Sequence, residues 1–98
     1  MAIRSKITVS GAQFALSVTS GAVVTLTVPS EANVAEIYVR TAPVVFTRDG
    51  TAPTATKGIQ ADVGDIILLE SRNELQNFKV IAVSTTAALD AEYFDVLS

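Results

Sequence analysis

Apolar residues recur at every second position along much of this chain, and this alternation constrains the fold more than any other feature. Between Ala35 and Arg40, apolar residues at 35, 37 and 39 alternate with polar or amphipathic residues at 36, 38 and 40. A period of two places successive side chains on opposite faces of a strand, whereas a helix repeats every 3.6 residues. Val and Thr, which favour strands, are abundant. The pattern therefore predicts β-strands with one buried face.

The N-terminal third predicts one strand and then a hairpin. Gly11 interrupts the alternation of the first strand, which has Ile3, Ile7 and Val9 on one face. Further along, Ser20-Gly21 marks a tight turn, because glycine accepts the positive φ that such turns require. The inward residues of this predicted hairpin are Phe14, Leu16 and Val18 before the turn and Val24, Leu26 and Val28 after it.

Turn signals recur about every 8–12 residues, a spacing typical of small all-β domains. We expect residues 1–98 to form a single antiparallel β-sandwich, Ig-like or jelly-roll-like, with seven or eight short strands. The segment from Ser71 to Leu75 predicts one short helical turn, because Glu74 follows Ser71 by three residues as in a capping box. The apolar Phe78–Ile81 segment then returns to a strand.

The composition argues against several classes of function. Hydrophobic residues make up 49% of the chain and charged residues 17%, against about 25% charged in a usual soluble domain. This surplus predicts that other chains cover part of the surface. The net charge of −3 disfavours nucleic acid as a partner, since phosphate binding needs clustered Lys and Arg. The chain has no Cys and no His, and so lacks the commonest metal ligands and the commonest general base.

The remaining polar groups predict neither an active site nor a cofactor. Paired carboxylates at Asp62 and Asp65, and at Asp90 and Glu92, are better explained as turn residues and a solvated strand face than as a glycosidase pair. Asp49, Asp62 and Asp65 could offer oxygen ligands to calcium, but their spacing matches no EF-hand loop, and Asp49-Gly50 and Gly64-Asp65 are better explained as turns. The N-terminal residues contain no apolar signal-peptide core, and no run approaches the length of a membrane span. We therefore expect a non-enzymatic protein that is made in the cytoplasm and binds no membrane.

A protein interface is the function that the residues favour. Tyr38 and Arg40 share one strand face, and these two residue types anchor interfaces more often than most. The run Ile66–Leu69 is apolar on both faces of any strand, so that two of its residues face outward if the other two face the core. Either the loop Asp49–Gly58 covers this second apolar face of a central strand, or a neighbouring subunit does, and we favour the subunit. The candidate interface residues are Tyr38, Arg40, Val45, Ile66 and Leu68.

From Ala35 onward the chain resembles a group of small tailed-bacteriophage virion proteins with an Ig-like β-sandwich. Their pattern includes an Ala-Pro corner, a strand ending in Thr-x-Asp-Gly-Thr-x-Pro-Thr, a Gly-Asp-rich strand and a closing Leu-x-[Ala/Val]-x-Tyr strand. The matching residues here are Ala42-Pro43, the run Thr47–Thr54, Gly64-Asp65, Leu75, Phe78-Lys79, Leu89, Ala91 and Tyr93. The match spans about two thirds of the chain and leaves residues 1–33 uncovered.

Within the matching motif, the residues assigned to the turn and loop are Asp49, Gly50, Thr51 and Pro53. The same segment is similar to one in Ig-like modules appended to bacterial chitin- and hexosamine-degrading enzymes. The chain departs from the phage pattern at Arg48, where the group has an apolar residue, and at Val45, where it often has a polar one. These departures leave the strand register near residues 44–48 open.

The resemblance implies a virion structural protein, first of all a capsid decoration or cement protein on the outside of the shell. Its implied partners are the major capsid protein or other virion proteins, together with further copies of itself in a dimer or trimer. No cofactor is implied, and the implied location is the virion. Two alternatives stay open: a tail, baseplate or head-fibre component, and an Ig-like carbohydrate-binding module. The few exposed aromatic residues and the lack of Trp disfavour the carbohydrate alternative.

Overall fold

The computed structural model of the protein describes residues 7–96, with side chains described from residue 9 onward. In chain order the elements are β1 (Ile7–Val18), β2 (Val24–Thr25), β3 (Val34–Arg40), β4 (Val44–Thr47), β5 (Ile59–Ala61), β6 (Ile66–Leu69), α1 (Arg72–Asn77), β7 (Lys79–Ala82) and β8 (Ala87–Val96). The predicted position of Ile3 on a strand lies outside the described residues.

Two four-stranded antiparallel sheets form the fold. The first, sheet A, has the strand order β1-β8-β3-β6, and the second, sheet B, has the order β2-β7-β4-β5. Every strand pair in the described part of the chain is antiparallel. The predicted all-β sandwich with seven or eight strands and one short helix is confirmed.

The core lies between the inner faces of the two sheets. β3 and β8 are the central strands of sheet A, and their alternate residues are buried as the sequence predicts. From sheet B, Val44 and Phe46 of β4 face them, and the rings of Phe46 and Phe78 lie 5.7 Å apart between centroids. The register near residues 44–48 is therefore the one with Val44 and Phe46 inward, and Arg48 lies over the Phe46 ring at 5.7 Å.

The predicted N-terminal hairpin is wrong. β1 pairs with β8 in sheet A, where Leu16 lies opposite Leu89, whereas β2 pairs with β7 in sheet B, where Val24 lies opposite Val80. The connection through Ser20-Gly21 therefore crosses from one sheet to the other and is not a tight hairpin turn. The apolar residues of both segments still pack against the core, and for this reason alternation alone could not reveal their true partners.

Gly11 does not end a strand, because β1 runs through it with two β-bulges. One bulge lies between Val9 and Gly11 and the other between Gln13 and Leu16, where Ala15 has a φ of +54°. An extra residue in a strand reverses the alternation beyond it. Phe14 is therefore 72% exposed, and the prediction that it shares the inner face with Leu16 is wrong.

The short helix α1 begins at the predicted cap. The Ser71 hydroxyl accepts a hydrogen bond from the Glu74 N–H at 3.2 Å, and the Glu74 carboxylate accepts one from the Glu70 N–H at 2.9 Å. In a standard capping box the Glu74 carboxylate would accept from the N–H of the cap residue Ser71, whereas here it accepts from the N–H of the preceding residue, Glu70. The Arg72 guanidinium donates to the carbonyl oxygens of Pro29 and Ala32, and so ties α1 to the β2–β3 connection.

Candidate protein-binding surface

Four of the five predicted interface residues lie together on the outer face of sheet A, the face turned away from the core. Tyr38 lies opposite Ile66 on the neighbouring strand, and Arg40 follows Tyr38 on the same face of β3. Leu68 lies two residues beyond Ile66 and opposite Glu36. The exposed fractions are 37% for Tyr38, 54% for Ile66 and 46% for Leu68.

β6 is an edge strand of sheet A, so the interpretation of Ile66–Leu69 as a central strand beneath a loop is wrong. Ile67 and Leu69 face the core and are buried, as predicted. The loop Asp49–Gly58 does not cover the other two residues, since Ile66 and Leu68 are about half exposed. The second apolar face of this strand is therefore open within the described residues.

Val45 is not an interface residue, because it is only 2% exposed. It lies on central strand β4 between Gln60 and Ile81, and its neighbours Val44 and Phe46 face the core. Alternation places Val45 on the outer face of sheet B. The chain returns over it at Gly58, where an added Cβ would stand 2.6 Å from the Val45 Cγ1 atom. The 49–58 loop thus covers Val45, which a neighbouring subunit was expected to cover.

Asp90 holds the polar part of the outer face of sheet A together. Its carboxylate accepts a hydrogen bond from the Ala15 N–H at 2.9 Å and another from the Arg40 guanidinium at 2.8 Å. The N–H of Ala15, and after it Arg40, holds the pKa of Asp90 below its ordinary value. Asp90 therefore joins the bulge of β1 to the central strand β3.

Tyr38 is held by its own strand. Its hydroxyl donates a hydrogen bond to the Glu36 carboxylate at 2.9 Å, and Glu36 lies two residues away on the same face. This bond, and next the negative charge of Glu36, raises the pKa of Tyr38. The phenol oxygen is therefore already engaged in a hydrogen bond.

Two apolar residues that the sequence analysis did not assign to an interface extend this surface. Phe14 and Val63 line an open depression with a cavity volume of about 660 Å³, together with Tyr38, Arg40 and Asp90. Val63 is 55% exposed and lies in the turn 62–65, which the Asp65 N–H closes on the Asp62 carbonyl at 2.9 Å. An apolar residue inside an Asp-x-Gly-Asp turn was a readable signal, whereas the alternation around Phe14 predicted the inner face.

The predicted turn and loop residues form a local structure elsewhere. The Asp49 carboxylate accepts a hydrogen bond from the Thr51 N–H at 3.0 Å, and Gly50 has a φ of +90°. The Gly50 N–H donates to the Asn77 carbonyl at 3.2 Å, so that the turn is attached to the end of α1, and Pro53 is buried. The pKa of Asp49 is lowered, first by the Thr51 N–H. Asp-Gly turn chemistry accounts for this segment, which does not join the predicted interface.

The described residues contain no group of three or more His, Cys, Asp or Glu side chains placed to hold a metal ion. Each buried side-chain nitrogen or oxygen in this part of the chain has a hydrogen-bond partner. No described helix is long and apolar enough to cross a membrane.

No family model, no curated protein and no solved structure matches this chain significantly. The resemblance to tailed-phage virion proteins, with the function, partners and location that it implies, therefore stays a prediction.

Proposed function

We propose that this protein is a structural component of a tailed-bacteriophage virion, and more specifically a capsid decoration or cement protein. It binds other virion proteins through the outer face of sheet A. The sequence motifs that resemble phage virion proteins support this assignment. The single observation that carries it is the cluster of exposed apolar side chains on that face and in the adjoining turn, namely Phe14, Tyr38, Val63, Ile66 and Leu68.

The size of this cluster favours attachment at several points. Full burial of one large apolar side chain contributes about 1.5–3 kcal/mol, so five side chains that are roughly half exposed contribute about 4–7 kcal/mol. Association costs about 4–15 kcal/mol in lost translational and rotational freedom. One such face is therefore barely sufficient to hold a single copy. A protein that bridges several neighbours in a shell gains from each contact while losing that freedom once.

A carbohydrate-binding module is the second candidate, because Phe14, Tyr38 and Asp90 line one open depression. Exposed aromatic rings beside a carboxylate suit the apolar faces and hydroxyl groups of sugars. The polar groups of this depression, however, already bind one another. Both Asp90 oxygens accept hydrogen bonds, Arg40 donates to Asp90, and the Tyr38 hydroxyl donates to Glu36. These bonds leave a mainly apolar surface to a partner, which favours protein over sugar.

Particle association tests the proposal. Phage particles that encode this chain are banded by density, and quantitative mass spectrometry measures how many copies remain bound. We expect many copies per particle from the wild-type protein, and loss of the protein from particles that carry Ile66→Lys. Val23→Lys is the matched control, because Val23 is also an exposed β-branched apolar side chain but lies in the β1–β2 connection. Absence of the wild-type protein from particles, or reproducible binding to one glycan on an array, would overturn the proposal.

A further inference from the structure

Within the described residues, no strand pairs with the backbone hydrogen-bonding groups on the outer edge of β6. The Val39 N–H donates to the Asp65 carbonyl and the Gly64 N–H donates to the Val39 carbonyl, both at 3.0 Å. Hydrogen-bonded pairs alternate along an antiparallel ladder, so the backbone groups of Ile67 and Leu69 also point to β3. Those of Ile66 and Leu68 therefore point away from β3, where the described part of the chain supplies no further strand.

The usual protection of an edge strand is missing within β6. Natural edges carry Lys, Pro or a bulge that discourages pairing with another chain, but the four residues of β6 are all Ile or Leu. Acidic residues flank this strand at Asp65 and Glu70. If two copies paired β6 with β6 antiparallel, the Glu70 of each would approach the Asp65 of the other. Like charges then oppose this pairing and favour a strand that brings basic residues.

The same edge borders a groove between the two sheets. Ile59 of β5, Ile66 and Leu68 line this groove together with Asp65 and one basic residue, Arg48. The strand that suits this site is short and extended. Its side chains toward the groove meet Ile59 beside the polar residues Gln60, Asp65 and Arg48, and its basic residues lie on the face that continues the outer face of sheet A, where Glu70 lies.

Residues Met1–Lys6 of this chain have that pattern. Met1 and Ile3 alternate with Arg4 and Lys6, and no acidic residue lies among them. Elsewhere in the chain no two Lys or Arg residues lie within three positions of each other. At about 3.3 Å per residue, six extended residues span roughly 20 Å, which exceeds the roughly 13 Å length of a four-residue strand.

A second copy must supply this segment. Ile7 pairs with Val96 on the far side of sheet A, and β8, β3 and β6 lie in order beyond β1. At about 4.8 Å between strands, a strand added outside β6 lies roughly 19 Å from β1. The backbone of Arg4 reaches at most about 10 Å from that of Ile7. The Arg4 and Lys6 of the same chain therefore cannot pair along β6.

We infer that the free edge of β6 binds the segment Met1–Lys6 of a second copy as an added strand of sheet A. Each copy then both donates a segment and accepts one, so that the contact builds a reciprocal dimer, a closed ring or an open filament. In this arrangement the segment runs parallel to β6, so that Lys6 lies beside Glu70, and the face that carries Met1 and Ile3 turns toward the groove. This contact is measured in solution with the isolated full-length chain and so does not rest on the virion proposal.

The first test is a matched pair of charge reversals. Lys6→Glu places an acidic residue against Glu70, whereas Lys57→Glu makes the same change at an exposed lysine in the 49–58 loop. Analytical ultracentrifugation over a concentration series measures the dissociation constant of self-association. We expect Lys6→Glu to raise it about fivefold or more, on the scale of exposed ion pairs, and Lys57→Glu to leave it within about twofold. An equimolar mixture of Lys6→Glu and Glu70→Lys chains restores association.

Hydrogen exchange gives the second test without any substitution. If a strand is added at β6, the Ile66 and Leu68 amides exchange slowly at protein concentrations above the dissociation constant and rapidly at concentrations below it. Leu68→Lys abolishes association while leaving the far-UV circular dichroism unchanged. Three results would each overturn the inference: a monomer at millimolar concentration, association without protection of these amides, or equal effects of Lys6→Glu and Lys57→Glu. None of them bears on binding to particles.

Discussion

Gly58 closes the loop that covers Val45, and its replacement by alanine tests that contact directly. Its φ is +129°, a backbone conformation that residues with a side chain rarely adopt. An added Cβ would stand 2.6 Å from the Val45 Cγ1 atom and 3.0 Å from the Phe46 carbonyl oxygen. Both atoms belong to the central strand β4, so the loop has to move away from a packed sheet to admit the methyl group.

The expected loss of stability combines two effects. A residue with a side chain held at such a φ costs about 1–3 kcal/mol. Forcing an extra methyl group into a packed contact costs about 1–3 kcal/mol more. Because one shift of the loop relieves part of both, we expect Gly58→Ala to lower the free energy of unfolding by about 2–4 kcal/mol.

Two other glycines separate these effects. Gly64 has a φ of +94° and no atom within 4 Å of an added Cβ, so Gly64→Ala retains only the backbone strain, about 1–2 kcal/mol. Gly21 has neither a positive φ nor a close neighbour, so Gly21→Ala stays within about 0.5 kcal/mol of the wild type. Urea unfolding followed by circular dichroism measures the free energy of unfolding of all three variants. We expect the slope of this free energy against urea concentration to be the same for each.

The reasoning fails if Gly58→Ala is no more destabilising than Gly64→Ala. A double-mutant cycle adds a second criterion, because Val45→Ala removes the Cγ1 atom that the new methyl group meets. In that background the cost of Gly58→Ala falls toward the cost of Gly64→Ala. Additive effects would show that the loop does not pack on Val45.

Three further predictions concern stability. Gly50→Val lowers it by about 1 kcal/mol or more, through the φ of +90° and a Cβ placed 3.4 Å from the Asn77 Oδ1 atom; an unshifted melting temperature would contradict this. Burial raises the pKa of Tyr93 to about 12, above the value of about 10 in the unfolded chain. The folded state then binds more protons between these values, so stability falls from about pH 10 to pH 12 by up to about 2.7 kcal/mol. We expect Tyr93→Phe to lack this loss of stability at high pH, and urea midpoints measured at pH 9 and pH 11 test this. Ser71→Ala loses the bond to the Glu74 N–H and about 1 kcal/mol, whereas Ser71→Asp retains the wild-type melting temperature.

The features that the sequence predicted correctly depend on local chemistry or on uninterrupted alternation. In β3 and β8 every second residue faces the core, because both strands lie inside sheet A and neither contains a bulge within its pairing with the other. The Asp49-Gly50 turn and the Ser71 cap are formed by residues within four positions of each other. The positions of Tyr38, Ile66 and Leu68 on one face followed from the same alternation.

What the sequence could not predict depends on contacts between distant segments. The alternation of β1 and β2 fitted a hairpin, but each strand pairs with a C-terminal strand instead. Nothing in the sequence around Val45 indicates that Gly58, thirteen positions later, returns over it. The bulge at Ala15 carries no signal either, because alanine is not a residue that marks a positive φ.

That bulge also adds an aromatic side chain to the outer face of sheet A. The extra residue turns Phe14 away from the core. The Ala15 N–H donates a hydrogen bond to Asp90 on β8, and Asp90 in turn binds Arg40 on β3. A positive φ at alanine costs about 1 kcal/mol or more, and an exposed phenylalanine forgoes roughly 1.5–3 kcal/mol of burial. An isolated copy gains nothing from either cost, whereas a copy with its outer face covered recovers the burial of Phe14. Strain and exposure at the same place thus favour a surface that is completed by a partner.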